Sequence, residues 1–298
     1  MALSCLAHVK RNCSAKRPIV PTITNVKLVV DRSGSMIYCI EGAKIGMRTF
    51  LEQQQKMAEQ GAEIYLEVVT FDDIKQVPFH GNAKDLDDEA IQMCVDALKP
   101  RGTTRLNDTL GETMEQQIYE IADMQKSLSK TQQQLGVNVS GACAIITDGE
   151  DTASDKYTIE DVRKLVKYQE ENGVLCQFIG ANIDAISTGL SYGYNKNHTL
   201  QMGTTAENTK HAIFAVTSSQ ERQYSGGACA FTPMERQVSN SGGGYYNTNT
   251  FSDEDYNDNQ LTLSPQSPQS PLSNDDDDDY STSLTIPLPP GLVRLITE

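Results

Sequence analysis

Asn25-Val26-Lys27-Leu28-Val29-Val30-Asp31-Arg32-Ser33-Gly34-Ser35-Met36 is the stretch on which the fold of this chain turns. Residues 26–30 are a short β-branched run of strand composition. The run stops on a carboxylate, and two hydroxyls follow at alternate positions, Ser33 and Ser35. Directly afterwards Ile40, Ala43, Met47, Phe50 and Leu51 recur at spacings of three and four, the apolar stripe of an amphipathic helix. A strand that ends on oxygen-bearing side chains and passes into a helix is the opening unit of an α/β fold. Open α/β sheets bind their ligands at the carboxyl ends of the strands.

The same alternation continues to about Ser219. Residues 63–71 (EIYLEVVTF) read as a strand after Gly61, and 76–80 as a short edge strand, because Pro78 cannot donate to a central ladder. Asp85 is expected to cap a helix through Leu98. Leu106, Leu110, Met114, Ile118 and Ile121 mark one face of a longer helix that runs into the polar stretch 125–134. Residues 142–147 (ACAIIT) are apolar throughout, as a central strand requires. Thr158 and Asp161 form a capping-box pattern, Gly173 closes the helix behind it, and 174–179 (VLCQFI) are the next strand. A short helix from Asp184, a strand near 199–202 and a helix over 205–219 complete about six strands and six helices. The pattern predicts one α/β domain, Rossmann-like and doubly wound, with a mostly parallel central sheet flanked by helices.

Outside residues 25–220 the composition changes. Residues 1–24 carry Lys10, Arg11, Lys16 and Arg17 with no acid and are expected to be a flexible basic arm. Residues 239–250 are rich in Gly, Ser, Asn and Tyr, 265–271 read PQSPQSP, and 275–279 are five consecutive aspartates. Such a segment buries too little apolar surface to offset its ordering entropy, so 221–298 are expected to be a disordered acidic tail. With 12 acidic and 3 basic residues, the tail holds −9 of the net charge of −15, which leaves the domain only mildly acidic. No basic face is concentrated anywhere, which argues against nucleic-acid binding. No run of about 20 apolar residues exists, which argues against a membrane span. The seven cysteines are odd in number and lack a Cys-x-x-Cys pair. Without a convincing secretory signal, they point to free thiols and a cytoplasmic location.

Two further sets of oxygen donors fall at the ends of later elements: Gly102-Thr103-Thr104-Arg105 before the long helix, and Thr147-Asp148-Gly149 after the central strand. Carboxylate and hydroxyl oxygens suit a hard cation such as Mg²⁺. Asp31-x-Ser33-x-Ser35, a Thr in a Gly-Thr-Thr loop and Thr-Asp-Gly after an apolar strand closely resemble the metal-ion-dependent adhesion site of von Willebrand factor type A domains. The resemblance covers about residues 25–219, including the turn Gly180-Ala181-Asn182. It implies that Ser33 and Ser35 ligate the ion through their hydroxyls, and that Asp31 and Asp148 bind it directly or through water. It also implies that Thr104 is the ligand that moves in or out of contact as the domain changes state. The family's usual loop is Gly-Gly-Thr, which aligns with Gly102-Thr103-Thr104 and selects Thr104 over Thr103.

The function implied by the resemblance is a non-catalytic binding module or adaptor. Its Mg²⁺ (or Mn²⁺ or Ca²⁺) would keep one position open for an Asp or Glu of a protein partner. Intracellular relatives that work inside larger assemblies imply a second reading, a regulatory subunit of an ATPase or chelatase complex. A third is a metal-dependent hydrolase, whose turnover Asp31→Ala would abolish. Against these stands the plain alternative that Asp31 and the serines only cap the first helix. A phosphatase of the haloacid dehalogenase type would carry a second Asp where Ser33 stands. No P-loop and no Gly-x-Ser-x-Gly elbow is present, and His8, His80, His198 and His211 show no metal-like spacing.

Overall fold

In the computed structural model, which describes residues 22–241, β1 (Thr22–Asp31) is buried along almost its whole length in the middle of a six-stranded sheet. β2 (Glu63–Phe71) and β4 (Asn138–Thr147) flank it, both parallel to it. β5 (Val174–Gly180) and β6 (Thr199–Gln201) extend the parallel part beyond β4. β3 (Lys75–Asn82), which contains Pro78, closes the opposite edge antiparallel to β2. The order β3-β2-β1-β4-β5-β6 is the doubly wound, mostly parallel arrangement expected from the sequence. Its direction of winding reverses between β1 and β4, so the carboxyl ends of these two strands flank the crevice in which such sheets bind.

The two faces of the sheet are covered differently. On one face Val26, Leu28 and Val30 of β1, Leu66 and Val68 of β2 and Ile146 of β4 share an apolar core with α1 (Ile40–Glu59) and α7 (Ala206–Tyr224). α1 and α7 approach closely because α1 carries glycines at the contact: a Cβ on Gly46 would lie 2.7 Å from Ile213 Cδ1. α2 (Asp88–Asp96) joins this layer through Ile91 and Cys94. α3 (Leu106–Ser127) and α5 (Ile159–Glu171) cover the other face, and α6 (Ala185–Ser191) packs beside β5 and β6.

Several details depart from the sequence reading. The cap of α2 is Asp87, whose side chain accepts from Ala90 N, while Asp85 lies in a preceding 3₁₀ turn. The polar stretch after α3 breaks at the extended Leu128, and Ser129 and Gln132 form a capping box that starts α4 (Lys130–Gln134). The boundary expected at 220 falls inside α7, and a further helix follows, α8 (Pro233–Ser241). This last segment lacks an apolar stripe. It is held by one buried ring, Phe231, by the Arg222–Glu235 ion pair at 2.8 Å, and by Arg236, which donates to Thr199 O (2.7 Å) and Asn197 O (3.0 Å). At the other end β1 starts at Thr22, inside the expected arm. The rest of the arm and tail expectations lie outside the described residues. Among the described residues no helix is long and apolar enough to cross a membrane, and Cys39, Cys94, Cys143, Cys176 and Cys229 are all free.

The α3 side of the sheet holds a buried charge cluster that the sequence does not announce. Lys27 is fully buried and lies in register with Glu67 on β2, which in turn faces His80 on β3. The Lys27 ammonium is 2.6 Å from Glu120 Oε2 and 3.2 Å from Glu67 Oε2. Gln116 donates to both glutamates, at 2.9 and 2.7 Å, and Asn25 donates to Glu120 at 2.8 Å. Removing the cation leaves Glu67 as an unpaired buried anion. Lys27→Met should therefore lower stability in chemical denaturation by about 3–5 kcal/mol, and adding Glu67→Gln should restore much of the loss. A loss for Lys27→Met under about 1 kcal/mol, the range of exposed pairs, would contradict this account.

Candidate metal centre

Asp31 is the last residue of β1, and its neighbour on β4 is Thr147, since Val30 pairs with Ile146. That register brings the Thr147 hydroxyl to Asp31, and it donates to Oδ2 at 2.7 Å. The other oxygen, Oδ1, accepts from Ser33 N at 2.6 Å. The Ser33 and Ser35 hydroxyls are 3.0 Å apart, and Ser35 Oγ donates to Asp148 Oδ1 at 2.7 Å. A methyl group placed on Gly149 would lie 3.6 Å from Thr104 Oγ1 and 3.7 Å from Ser35 Oγ, so Thr104 completes the same cluster. The five residues singled out in the sequence, Asp31, Ser33, Ser35, Thr104 and Asp148, thus lie around one point at the carboxyl edge of the sheet. Thr104 is buried and Thr103 is exposed. Neither Ser33 nor Cys39 makes a side-chain capping bond to the turns they precede, so helix capping does not explain the serines.

Three loops support the donors. The Gly102 carbonyl accepts from Gly34 N at 3.3 Å, which joins the Thr104 loop to the serine turn. Arg101 grips Asp72, just past β2, at 2.6 and 3.3 Å, while Arg101 N donates to Arg32 O and Arg105 N to Asp72 O. On the far side the segment after Asp148 is stitched to the start of α3. Asp108, fully buried, accepts from the backbone nitrogens of Asp155, Lys156 and Tyr157 at 3.0, 2.9 and 2.7 Å and from Arg105 Nε at 2.7 Å. Burial opposes ionisation of this carboxyl, but the four donors prevail and hold it down at about 2. Asn182, in the left-handed conformation at φ 54° after β5, donates to Asp148 Oδ2 at 3.4 Å. Thr147 and Asn182 were named in the sequence only as parts of a motif and a turn. Their roles toward the two carboxylates emerge from strand register and from the turn geometry.

The electrostatics of the two carboxylates are unusual. Burial pushes Asp31 up to about 6, against the hydrogen bonds it accepts, and the nearby Asp148 raises it further. Asp148 is also raised, again by burial. Among the described residues neither has an ion-pair partner. Arg32, next in the chain, turns away to Asp72 (2.9 Å), to Ala97 O (3.0 Å) and to Gln76. Two buried acids side by side, ringed by hydroxyls and lacking a cation, have the donor chemistry of a hard-metal site. The glutamates near His80 offer the contrast. Glu67, His80 and Glu120 bring ligand atoms within 4.8 Å of one another, a grouping the sequence spacing did not reveal. There, however, the Lys27 ammonium already bridges the two carboxylates, offsetting one of their two negative charges from within.

No protein-family model matches the chain, and no curated protein does. Similar chains among solved structures include the vWF domain of the type V pili tip protein Mfa5 from Porphyromonas gingivalis, at 10% identity and TM-score 0.48, covering 68% of this chain and 96% of that one. A von Willebrand factor type A structure from Catenulispora acidiphila is similar at 15% identity and TM-score 0.43, covering 66% of this chain and 42% of that one. Proximal thread matrix protein 1 from the mussel byssus is similar at 14% identity and TM-score 0.44. It covers 65% of this chain, which spans 45% of its length. At these values the likeness bears on no activity, ligand or partner.

Proposed function

We propose that the chain is a cytoplasmic, non-catalytic protein-interaction module that holds Mg²⁺ between Asp31, Ser33, Ser35, Thr104 and Asp148 and binds an Asp or Glu of a protein partner. The observation that carries this reading is the pair of buried carboxylates, Asp31 and Asp148, neither of which has an ion-pair partner among the described residues. Asp31, Ser33, Thr104 and Asp148 are buried, whereas Ser35 and Gly34 are exposed, so the cluster opens to solvent on the serine side. A cation held there supplies an electrophilic position that an incoming carboxylate can fill. The chain's own residues orient it: Thr147 fixes Asp31, Asn182 and Ser35 fix Asp148, and the Gly34–Gly102 contact keeps the mouth in place. No histidine or lysine is paired with Asp31 or Asp148 among the described residues, which favours binding over acid–base chemistry. The free cysteines support the reducing compartment.

Calorimetric titration with Mg²⁺ and Mn²⁺ should show one saturable site in the wild type and none in Asp148→Ala or Asp31→Ala. Thr104→Val, which removes a neutral donor, should weaken it about tenfold, or ~1.4 kcal/mol. Capture of a protein partner should be lost with chelator and with Asp148→Ala alike. Equal cation binding by wild type and Asp148→Ala would overturn the assignment.

The raised Asp31 also sets a pH dependence. Its proton is favoured in the folded chain, so without a cation its contribution to stability is full below about pH 4 and is lost as pH rises through about 6. A metal ion competes with that proton, so cation binding should weaken as pH falls through the same range. Chelated wild type should lose up to about 3 kcal/mol relative to Asp31→Asn between pH 4 and 7, measured by denaturant unfolding. Saturating Mg²⁺ should remove that difference at pH 7. Parallel stability curves for the two proteins would contradict the shift.

A further inference from the structure

We propose that Thr152 is a positioning residue of this centre, locking the Thr104 loop to the Asp148 loop so that the two donors move as one unit. The proposal rests on the metal-site reading above and concerns how that site is held. Thr104 N donates to Thr152 Oγ1 at 3.0 Å. In return Thr104 O accepts from Thr152 N at 2.8 Å, from Ala153 N at 3.1 Å and from the Thr152 hydroxyl at 3.4 Å. Both backbone groups of Thr104 are therefore tied to the segment that begins four residues after Asp148, and only its side chain is left to face the ion. Among the described residues no hydrogen bond is found to Thr104 Oγ1.

The clamp is backed one turn further along. Asn107 N donates to Asp151 Oδ1 at 3.1 Å, Asp108 N to Ser154 Oγ at 2.9 Å, and Ser154 Oγ to Asp151 Oδ1 at 2.5 Å. Beyond these, the Asp108 carboxylate holds the nitrogens of 155–157. The start of α3 and residues 151–157 thus form one hydrogen-bonded body, with Thr152 its contact nearest the donors. In this arrangement the Thr104 backbone cannot shift away from the site by itself. Any displacement carries the 149–157 segment with it or breaks the pair of backbone bonds to Thr152. The movement of Thr104 in or out of contact that the resemblance implies would then involve the 149–157 segment as well. Thr152 itself is exposed, so its replacement leaves the core intact.

The test has two readouts on the full chain. In metal-free protein, hydrogen exchange at Thr104 N should accelerate more than tenfold in Thr152→Val, while the nitrogens of Asp155, Lys156 and Tyr157, held by Asp108, keep their protection. Thr152→Ser should retain the wild-type rate. In Mn²⁺ titrations Thr152→Val should bind about three- to tenfold more weakly than wild type. The same substitution made in a Thr104→Val background should have no further effect, because Thr152 acts through Thr104. An equal loss in both backgrounds, or unchanged Mn²⁺ affinity and unchanged exchange in Thr152→Val, would overturn the proposal. If the wild type binds no Mn²⁺, the metal-site reading fails, and the exchange measurement still decides whether the two loops are locked.

Discussion

Two acids share the carboxyl edge of the sheet with no cationic side chain among the described residues paired to either, and the surrounding loops hold them there. A parallel register that aligns Val30 with Ile146 places the end of β1 beside the end of β4. The Thr147 hydroxyl, the Ser33 nitrogen, the Ser35 hydroxyl and the Asn182 amide then take up carboxylate oxygens that would otherwise be bare. These are neutral donors, and neutral donors offset only part of the several kcal/mol that each buried anion costs. The remaining imbalance is visible in the upward shift of both carboxyls. A divalent cation is the group that would relieve it. The α/β scaffold supplies the rigidity, because both acids sit at the ends of central strands.

The same sheet solves a second buried-charge problem in the opposite way. On the α3 face, Glu67 and Glu120 are bridged from within by Lys27, which belongs to the same strand as Asp31 and offsets one of their two charges. One strand thus carries an internal cation at position 27 and, at position 31, a carboxylate with no ion-pair partner among the described residues. On the proposed reading, that difference separates a structural cluster from a cation site. Around the open site the supporting contacts are mainly backbone bonds between loops: Gly34 to Gly102, Arg105 to Asp72, and Thr152 and Ala153 to Thr104. The donors thus keep their spacing without an ion, which on the proposed reading would lower the ordering cost of binding one.

Much of this was legible in the sequence for identifiable reasons. The central strands announced themselves as apolar runs, Pro78 marked the edge strand, and Thr158 with Asp161 marked the start of α5. The five donors of the candidate site were legible because each lies in or beside a short motif at a strand end or before a helix. What escaped was set by contacts distant in sequence. α8 has no apolar stripe and is fastened by Phe231 and by arginine contacts to carbonyls on β6 and the turn before it. The Lys27–Glu67–Glu120 cluster depends on strand register and on α3, so three charges far apart along the chain do not reveal it. Asp85 and Asp87 are both plausible caps by type, and only the turn geometry chooses Asp87.

The most direct measurement is anomalous diffraction from crystals of the full chain grown with Mn²⁺. The expected result is a single strong peak with oxygens of Ser33, Ser35, Thr104 and at least one of Asp31 and Asp148 reaching it directly or through water, direct contacts falling at about 2.0–2.2 Å. Absence of a peak there, or a peak instead between Glu67, His80 and Glu120, would contradict the view that the uncompensated pair of acids is the cation site.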